Sequence, residues 1–436
     1  MKQIIKGELG KLVSLFYSII IFLVVYNPPI YAGISFSVLA VLFSILIIIS
    51  NRKILHKILS NRSIRSLLRL FLFFTIYFFI VVLFNFFITA NDNTIQSIND
   101  FLVSYVSFFL VTFAIVIWAI KKNISFDQLC KLYLEAGIIQ IILVFLCLTS
   151  PSIKTIFNDM TVSNTNSEKI SMGYEFESAF RNFGFASTLY DIFGFAMAVL
   201  GIMSLAQALK GKKYYYIVSL AFAIAASINA RSAFIIYIAG FMVMILAPKD
   251  GKIRAGMIMR ATILLSIVFV GVYLLFSWIL KDTSSEQLLW LASAITETQS
   301  LSGGKSEGFY DALFNRFIFF PDDLSLIFGT GMPPHLAINK NSDMGYIQNI
   351  WQFGIVGSIM IYAFYIKLFR NAIKKLEWPD KTMLKTILIM MAIYLVKLTC
   401  FGYSQASVIF GPICILATYY GSNSRSVVLK NGVVNE

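Results

Sequence analysis

Residues 214–247 read YYYIVSLAFAIAASINARSAFIIYIAGFMVMILA, a run that is apolar almost from end to end. A single straight helix of this length would extend about 50 Å at about 1.5 Å per residue, whereas the hydrocarbon core of a bilayer is about 30 Å thick. The run is therefore too long for one membrane span and predicts two. We expect a tight hairpin between them, with Asn229, Ala230 and Arg231 at its tip.

The same apolar character extends over the whole chain. Hydrophobic residues make up 58% of its 436 residues and charged residues only 13%, against about 25% charged residues in a typical soluble domain. Because the apolar runs are spread from one end to the other, we predict an all-α integral membrane protein with a single polytopic domain over residues 1–436. The predicted spans number about twelve, at 12–28, 34–50, 68–89, 101–120, 128–149, 183–207, 214–228, 232–247, 261–280, 346–366, 386–402 and 405–421.

Basic residues alternate with these spans in a way that predicts the orientation. Lysine and arginine cluster in every second loop, and the positive-inside rule places such loops in the cytoplasm. Both termini are then cytoplasmic, and two long loops, 150–182 and 281–345, lie on the outer face. The net charge of +14 reflects this topology and an affinity for anionic lipid headgroups. The lipid bilayer is therefore an expected partner, and nucleic acid is not.

Three arginines are predicted at the outer face: Arg181 after the first long loop, Arg231 at the hairpin tip and Arg316 in the second long loop. A guanidinium is always charged and offers a planar fork to phosphate oxygens, so the three together suit a pyrophosphate. Anchoring to lipid headgroups or a salt bridge within a loop is the alternative interpretation. Asp191 follows Arg181 on the same predicted helix, where it either pairs with that arginine or lines a cavity.

The sequence offers little for metal or nucleotide chemistry. It contains two histidines, His56 and His335, and four cysteines that all fall in predicted spans or at their ends. No Cys/His cluster has the spacing of metal ligands, and no phosphate-binding or dinucleotide motif is present. We therefore expect neither a metal nor a cofactor.

The segment at the end of the second long loop resembles part of a known family. It is polar and glycine-rich, and it leads directly into an apolar helix. Together with the number of spans, the large outer loop and an arginine in a short outer turn, it resembles the Wzy-type O-antigen and capsular polysaccharide polymerases and the related O-antigen ligases. The matching stretches are Gly329-Thr-Gly331, Asp343-Met-Gly-Tyr346, Gly354-Ile-Val-Gly357 and, in the turn, Ser227-Ile-Asn-Ala-Arg231-Ser-Ala233.

The resemblance implies a GT-C-like membrane glycosyltransferase that joins oligosaccharide repeats carried by undecaprenyl pyrophosphate, on the outer face of the bacterial inner membrane. Asp343 and Arg231 are the expected catalytic residues: the carboxylate orients or deprotonates the acceptor hydroxyl, and the guanidinium stabilises the leaving pyrophosphate. The expected substrate-binding residues are Arg181, Asp191, Arg316, His335 and Tyr346. A chain-length regulator is an expected protein partner.

Each of these residues also has a structural interpretation. Asp343 suits the N-cap of the following helix, and this role is compatible with catalysis. Tyr346 suits the aromatic belt at the membrane interface. Gly354 and Gly357 are expected to allow close helix packing.

Three other functions stay open: an O-antigen ligase, a flippase or other transporter, and a peptidoglycan-type glycan polymerase of the SEDS family. Ligases of the same superfamily resemble His-Asn-x-Tyr-Leu at the start of the corresponding helix, with a glycine eight residues after the tyrosine. Here Tyr346 and Gly354 keep that spacing, but Asp343 stands in the place of the histidine, which favours a polymerase. A flippase or other transporter would also be polytopic, but it more often has helix-breaking glycine or proline inside its spans. The sequence shows no such break clearly. The SEDS polymerases normally have fewer spans and a catalytic aspartate in an outer loop, so only the context of the motifs argues against them.

Overall fold

The computed structural model describes residues 2–28, 36–89, 93–150, 152–153, 156–157, 184–186, 190–247, 259, 263, 266, 270, 318–340, 342, 344–402 and 404–431. This part of the chain is 83% helical and contains no strand. The predicted all-helical architecture is confirmed to that extent.

The helices differ widely in length, from single turns to rods of nearly thirty residues. A π-helical turn, Leu102–Val106, joins the helix that ends at Phe101 directly to the helix that begins at Ser107. In chain order the helices are α1 (Lys2–Tyr26), α2 (Phe36–Ser50), α3 (Arg52–Leu59), α4 (Arg62–Thr89), α5 (Asn93–Phe101), α6 (Ser107–Lys121), α7 (Phe126–Thr149), α8 (Tyr190–Leu209), α9 (Tyr215–Asn229), α10 (Arg231–Leu246), α11 (Asp323–Phe328), α12 (Pro334–Ala337), α13 (Gly345–Ile373), α14 (Asp380–Tyr394) and α15 (Gln405–Asn431).

The longest helices are apolar enough to cross a membrane. Among the described residues, five stretches qualify by length and composition, in α4, α5 with α6, α7, α8 and α13. The pair α2 and α3, bent by 85°, makes a sixth if it counts as one span, and shorter apolar helices lie in α1, α9, α10 and α15. The chain is therefore a helical membrane protein, while the number of twelve spans stays a prediction.

The structure divides the run 214–247 into two helices at the predicted tip of the hairpin. The helix α9 ends at Asn229 and α10 begins at Arg231. Ala230 between them has an extended backbone, with a φ of −153° and a ψ of 122°. The chain thus reverses over a single residue, and the arginine is the first residue of the second helix.

Two helices are shorter than the spans predicted at their positions. The helix α8 begins at Tyr190 and not near residue 183, and α14 ends at Tyr394 and not near residue 402. The chain after α14 leaves the helix where it packs against the start of α13. A Cβ on Gly345 would fall 2.5 Å from the carbonyl carbon of Leu398. This contact between distant segments cannot be read from apolarity alone.

The helix α8 lies at the centre of the bundle. In its most apolar stretch 89% of the residues are buried, against 28% in the corresponding stretch of α4. It packs against α7, α9, α10, α14 and α15. Small residues allow this: a Cβ on Gly201 would fall 2.6 Å from the ring of Tyr237 in α10. These five helices therefore pack closely around α8.

At the opposite end of α8, one lysine joins three helices. The Nζ of Lys210 lies 2.8 Å from Asp127 in α7 and 2.8 Å from Asp380 in α14. Burial raises the pKa of Asp380 above its usual value, and the adjacent Lys210 opposes that shift. These ion pairs fix three helix ends on the face that the charge pattern predicts to be cytoplasmic.

The four cysteines of the chain are all buried thiols. Cys130 and Cys147 lie in α7, Cys414 lies in α15, and Cys400 lies in the segment between α14 and α15. None of them is part of a disulfide. Their side chains belong to the packed interior of the bundle.

Candidate functional site

The predicted site residues divide into three groups. Asp191, His335 and Tyr346 have described side chains. Arg231 is described by its backbone, as the first residue of α10. The predictions for Arg181, Arg316 and Asp343 fall outside the described residues.

Asp191 joins the starts of α8 and α10. The Oγ of Ser232 donates a hydrogen bond of 2.7 Å to Asp191 Oδ1. The helices come this close because Gly194 has no side chain, and a Cβ there would fall 2.9 Å from the Cβ of Ala233. Since Ser232 follows Arg231 directly, the contact brings the backbone of the predicted catalytic arginine next to a predicted substrate-binding carboxylate.

Tyr394 extends this cluster to the end of α14. Its ring stacks on Phe195 of α8 with the ring centroids 4.2 Å apart, and it interacts electrostatically with Asp191. The residue is fully buried, and its hydroxyl has no hydrogen-bond partner in the described part of the chain. The sequence did not single out Tyr394, because a tyrosine inside a predicted span looks like ordinary packing. Only its place beside Asp191 marks it as a site residue.

The residue after Tyr394 connects the cluster to Tyr346. The N–H of Tyr346, in the first turn of α13, donates to the carbonyl oxygen of Leu395 at 3.3 Å. The phenol hydroxyl of Tyr346 donates to the sulfur of Met344 at 2.9 Å, and its side chain is half-buried. The contacts therefore bring together Asp191, the start of α10, Tyr394 and Tyr346.

Both chain neighbours of Asp343 are held in place at the start of α13. Ser342 is buried; its carbonyl oxygen accepts from Gln348 Nε2 at 2.6 Å, and its hydroxyl accepts from the N–H of Met344 at 3.2 Å. Met344 occupies the N-cap position of α13, one residue later than the cap expected at Asp343. Ser342 and Met344 are thus both anchored at the start of α13, close to Tyr346.

The glycine-rich stretch before this segment docks on a break in α13. Gly354 interrupts that helix with a φ of 65° and a ψ of −176°. Gly329 lies against the break, and Thr330 N–H donates to the carbonyl oxygen of Trp351 at 2.8 Å. The loop supplies a hydrogen bond that a broken helix would otherwise lack.

Tyr77 of α4 lies between the two sides of this junction. Its hydroxyl is 2.8 Å from the carbonyl oxygen of Phe328 and 3.0 Å from that of Phe353. This one hydroxyl is therefore within hydrogen-bond distance of the last residue of α11 and of the residue before the break. Gly357 makes room for the ring, because a Cβ there would fall 2.6 Å from Tyr77 Cε1. Gly357 thus allows close helix packing as expected, whereas Gly354 both packs closely against α11 and breaks α13, a break that was not expected.

His335 lies beside a different helix. It is exposed on the four-residue helix α12 and interacts electrostatically with Asp100 of α5. Asn93 Nδ2 donates to the carbonyl oxygen of Leu336 at 2.9 Å, which fixes α12 against the start of α5. The structure therefore places His335 next to α5, whereas Asp191 and Tyr346 lie next to the end of α14.

Within the described ranges, no three His, Cys, Asp or Glu side chains gather as metal ligands would. The candidate site is thus a cluster of a carboxylate, hydroxyls and backbone positions at one end of α8, α10, α13 and α14.

Comparison with known proteins adds no relative to these observations. No protein-family model, no curated protein and no solved structure matches the chain.

Proposed function

We propose that this chain is a membrane glycosyltransferase that joins oligosaccharide repeats, carried on undecaprenyl pyrophosphate, into O-antigen or capsule chains on the outer face of the bacterial inner membrane. The observation that carries the proposal is the hydrogen bond between Asp191 and Ser232. It joins two positions that the sequence marks independently: a carboxylate at the start of an apolar helix and the arginine that precedes Ser232. Ionisable groups are costly in a membrane and are functional candidates there.

The reaction requires a cationic group and a base. The acceptor hydroxyl oxygen bonds to the anomeric carbon of the donor sugar, the bond from that carbon to the pyrophosphate oxygen breaks, and the hydroxyl proton passes to the base. Fixed cations stabilise the departing pyrophosphate, a role that we assign to Arg231, with Arg181 and Arg316 as further phosphate-binding residues. Asp343, whose chain neighbours are anchored at the start of α13, is the proposed base.

Sugar binding is assigned to Asp191 and Tyr346 in the cluster at the candidate site and, outside it, to His335 beside α5. A carboxylate has two oxygens that accept several hydrogen bonds, so the bond from Ser232 leaves Asp191 able to accept from a sugar hydroxyl. Tyr346 is half-buried and offers a ring face beside the end of α14. Holding donor and acceptor together in one such cluster contributes to the rate through proximity.

A second function is favoured by one specific observation, the break of α13 at Gly354. Discontinuous helices form the substrate sites of many transporters, where freed backbone groups bind the substrate. Here the carbonyl oxygens of Trp351 and Phe353 on one side of the break are already engaged by Thr330 and Tyr77. Because these groups are not free to bind a substrate, a flippase or other transporter of lipid-linked repeats is the alternative and not the main proposal. An O-antigen ligase is a further one, which an aspartate at position 343 disfavours.

Polysaccharide length in a strain deleted for the gene tests the proposal. We expect the deletion to leave single repeats in place of long chains. Long chains that stay on the lipid carrier would indicate a ligase. The absence of any repeat from the outer face would indicate a flippase.

Point variants then test the site, with membrane levels checked by immunoblot. Arg231→Ala, Asp343→Ala and Asp191→Asn are expected to reproduce the deletion. Two controls change the same residue types elsewhere: Arg370→Ala, exposed near the end of α13, and Asp322→Asn, exposed before α11. If the controls lose as much polymer as the site variants, the residues chosen here are not the site.

A further inference from the structure

One face of α4 is exposed from Arg62 to Phe87, and it changes from basic to apolar after the first two turns of the helix. Arg62, Arg65 and Arg69 are exposed at its start, and the exposed residues that follow are apolar. At about 100° per residue, all of these positions fall within an arc of about 120°, so they form one stripe. The apolar part of this α4 stripe includes Leu72, Phe73, Ile76, Ile80, Leu83 and Phe87.

A fourth cation reaches the basic end of the α4 stripe. The Nζ of Lys367, in α13, donates to the hydroxyl of Ser66 at 2.6 Å, and Ser66 lies between Arg65 and Arg69. This partner is neutral, and no described carboxylate forms an ion pair with Lys367 or with the three arginines. Four cations therefore share one end of α4, and an anion bound there would be attracted by all four.

The short helix α3 indicates that the basic end of the α4 stripe lies at the membrane interface. It is bent by 85° from α2, so it crosses the end of the spanning helices. It buries Ile58 and packs Leu55 against the core, while its basic side chains are exposed. A helix with one apolar and one basic face is typical of the membrane interface. The exposed basic residues of α3 are Arg52, Lys53, His56 and Lys57.

We infer that the basic end of the α4 stripe binds an anionic phospholipid of the inner leaflet. The phosphate headgroup lies against Arg62, Arg65, Arg69 and Lys367, and the acyl chains follow the apolar part of the stripe. Guanidinium groups match phosphate geometry, and basic clusters directly cytoplasmic of a span attract anionic lipids. The change from cationic to apolar along one helix face matches the two parts of such a lipid, which a soluble phosphate lacks. The site is separate from the proposed polymerase site, at the other end of the bundle.

Lipid titration of the purified full-length chain in neutral detergent tests this inference. Phosphatidylglycerol and phosphatidylcholine with the same acyl chains are compared, and inorganic phosphate is added as a competitor. We expect phosphatidylglycerol to bind more tightly, and inorganic phosphate not to displace it. The variant Arg62→Gln/Arg65→Gln/Arg69→Gln is expected to lose affinity for phosphatidylglycerol on the order of 100-fold.

A matched control removes three cations elsewhere on the same predicted face. Lys121→Gln/Lys122→Gln/Lys213→Gln changes the net charge equally at exposed positions and is expected to keep wild-type affinity. Melting temperatures verify folding, and the single variant Arg69→Gln replaces the triple one if that does not fold. Equal losses in both variants, equal binding of the two lipids, or displacement by phosphate would each overturn the inference.

Discussion

Gly329 and Gly354 lie backbone to backbone at the junction between the end of α11 and the break of α13. A Cβ on Gly329 would fall 2.5 Å from the backbone nitrogen of Gly354 and 2.6 Å from the carbonyl carbon of Phe353. Both glycines have a positive φ, of 85° and 65°, which other residues rarely adopt. Two stretches that the sequence marks separately are therefore one structural unit.

The first prediction concerns this junction. Gly354→Ala is expected to lower the melting temperature, because its φ and ψ fall in a region that costs about 1–3 kcal/mol for other residues and because the new methyl would meet backbone atoms of α11 and Gly329. Gly211→Ala is the control: Gly211 also has a positive φ, but nothing lies within 4 Å of its Cβ position. Thermal unfolding in detergent compares the two. Equal effects would show that the junction is not tightly packed.

The second prediction concerns the hydroxyl that connects both sides of the junction. Tyr77→Phe keeps the ring against Gly357 but leaves the carbonyl oxygens of Phe328 and Phe353 without this donor. We expect a loss of about 1–3 kcal/mol in the free energy of unfolding, measured from the shift in melting temperature. Tyr17→Phe serves as a control, because Tyr17 contacts Trp118 through its ring. A similar loss there would mean that removal of any tyrosine hydroxyl has this effect.

The third prediction concerns pH and the ion pairs of Lys210. When folding raises the pKa of a carboxyl group, the protein loses stability as the pH rises through the pKa of that group in the folded state. Burial raises the pKa of Asp380 in the folded protein, and Lys210 limits this rise. Lys210→Met should therefore raise that pKa further, and we expect it to destabilise the protein more at about pH 8 than at about pH 5.

Melting temperatures at the two pH values check this sign. The loss at the higher pH should be roughly 1–3 kcal/mol, below the value for a fully buried pair, because the side chains of Lys210 and Asp380 are 22% and 16% exposed. Lys212→Met is the control, since Lys212 lies 3.8 Å from Asp127 in a more exposed pair. A loss that does not change with pH would contradict the role given to Asp380.

The fourth prediction rests on the proposed function. Ser232→Ala removes the bond to Asp191 and should shorten the polysaccharide made, since a hydrogen bond to a charged group contributes about 1.5–3 kcal/mol. Combined with Asp191→Asn it should cost less than the sum of both changes, because the two residues act as a pair. Ser227→Ala is the control, since that hydroxyl bonds only within its own helix, to Ile224, in the contacts described. Additive effects of Ser232→Ala and Asp191→Asn would show that the two residues act independently, which would contradict the prediction.

Local rules predicted those parts of the fold that depend on length and composition. The hairpin at Asn229 and Arg231 follows from a run too long for one span, and the structure divides the run there. The end of α14 at Tyr394 was missed, because it depends on a contact between Leu398 and Gly345 that no local pattern contains.

The candidate site was predictable only as separate residues. Asp191 stood out as a charge at the start of an apolar helix, but its bond to Ser232 required the approach of α8 and α10 at Gly194. Tyr394 carried no sequence signal. The break at Gly354 was interpreted as packing alone, because glycine in an apolar helix gives no sign of whether the helix continues.

The four buried cysteines have a practical consequence for chemical labelling. Alkylation needs an accessible thiolate, so the buried native cysteines should not react. A single introduced cysteine could then be labelled selectively without removal of the native ones. Lys340→Cys and Lys213→Cys place such thiols at exposed positions on the faces predicted to be outer and cytoplasmic. In intact cells, an impermeant maleimide that modifies the first and spares the second would establish the sidedness of the whole bundle. The reverse pattern would invert every assignment of inside and outside.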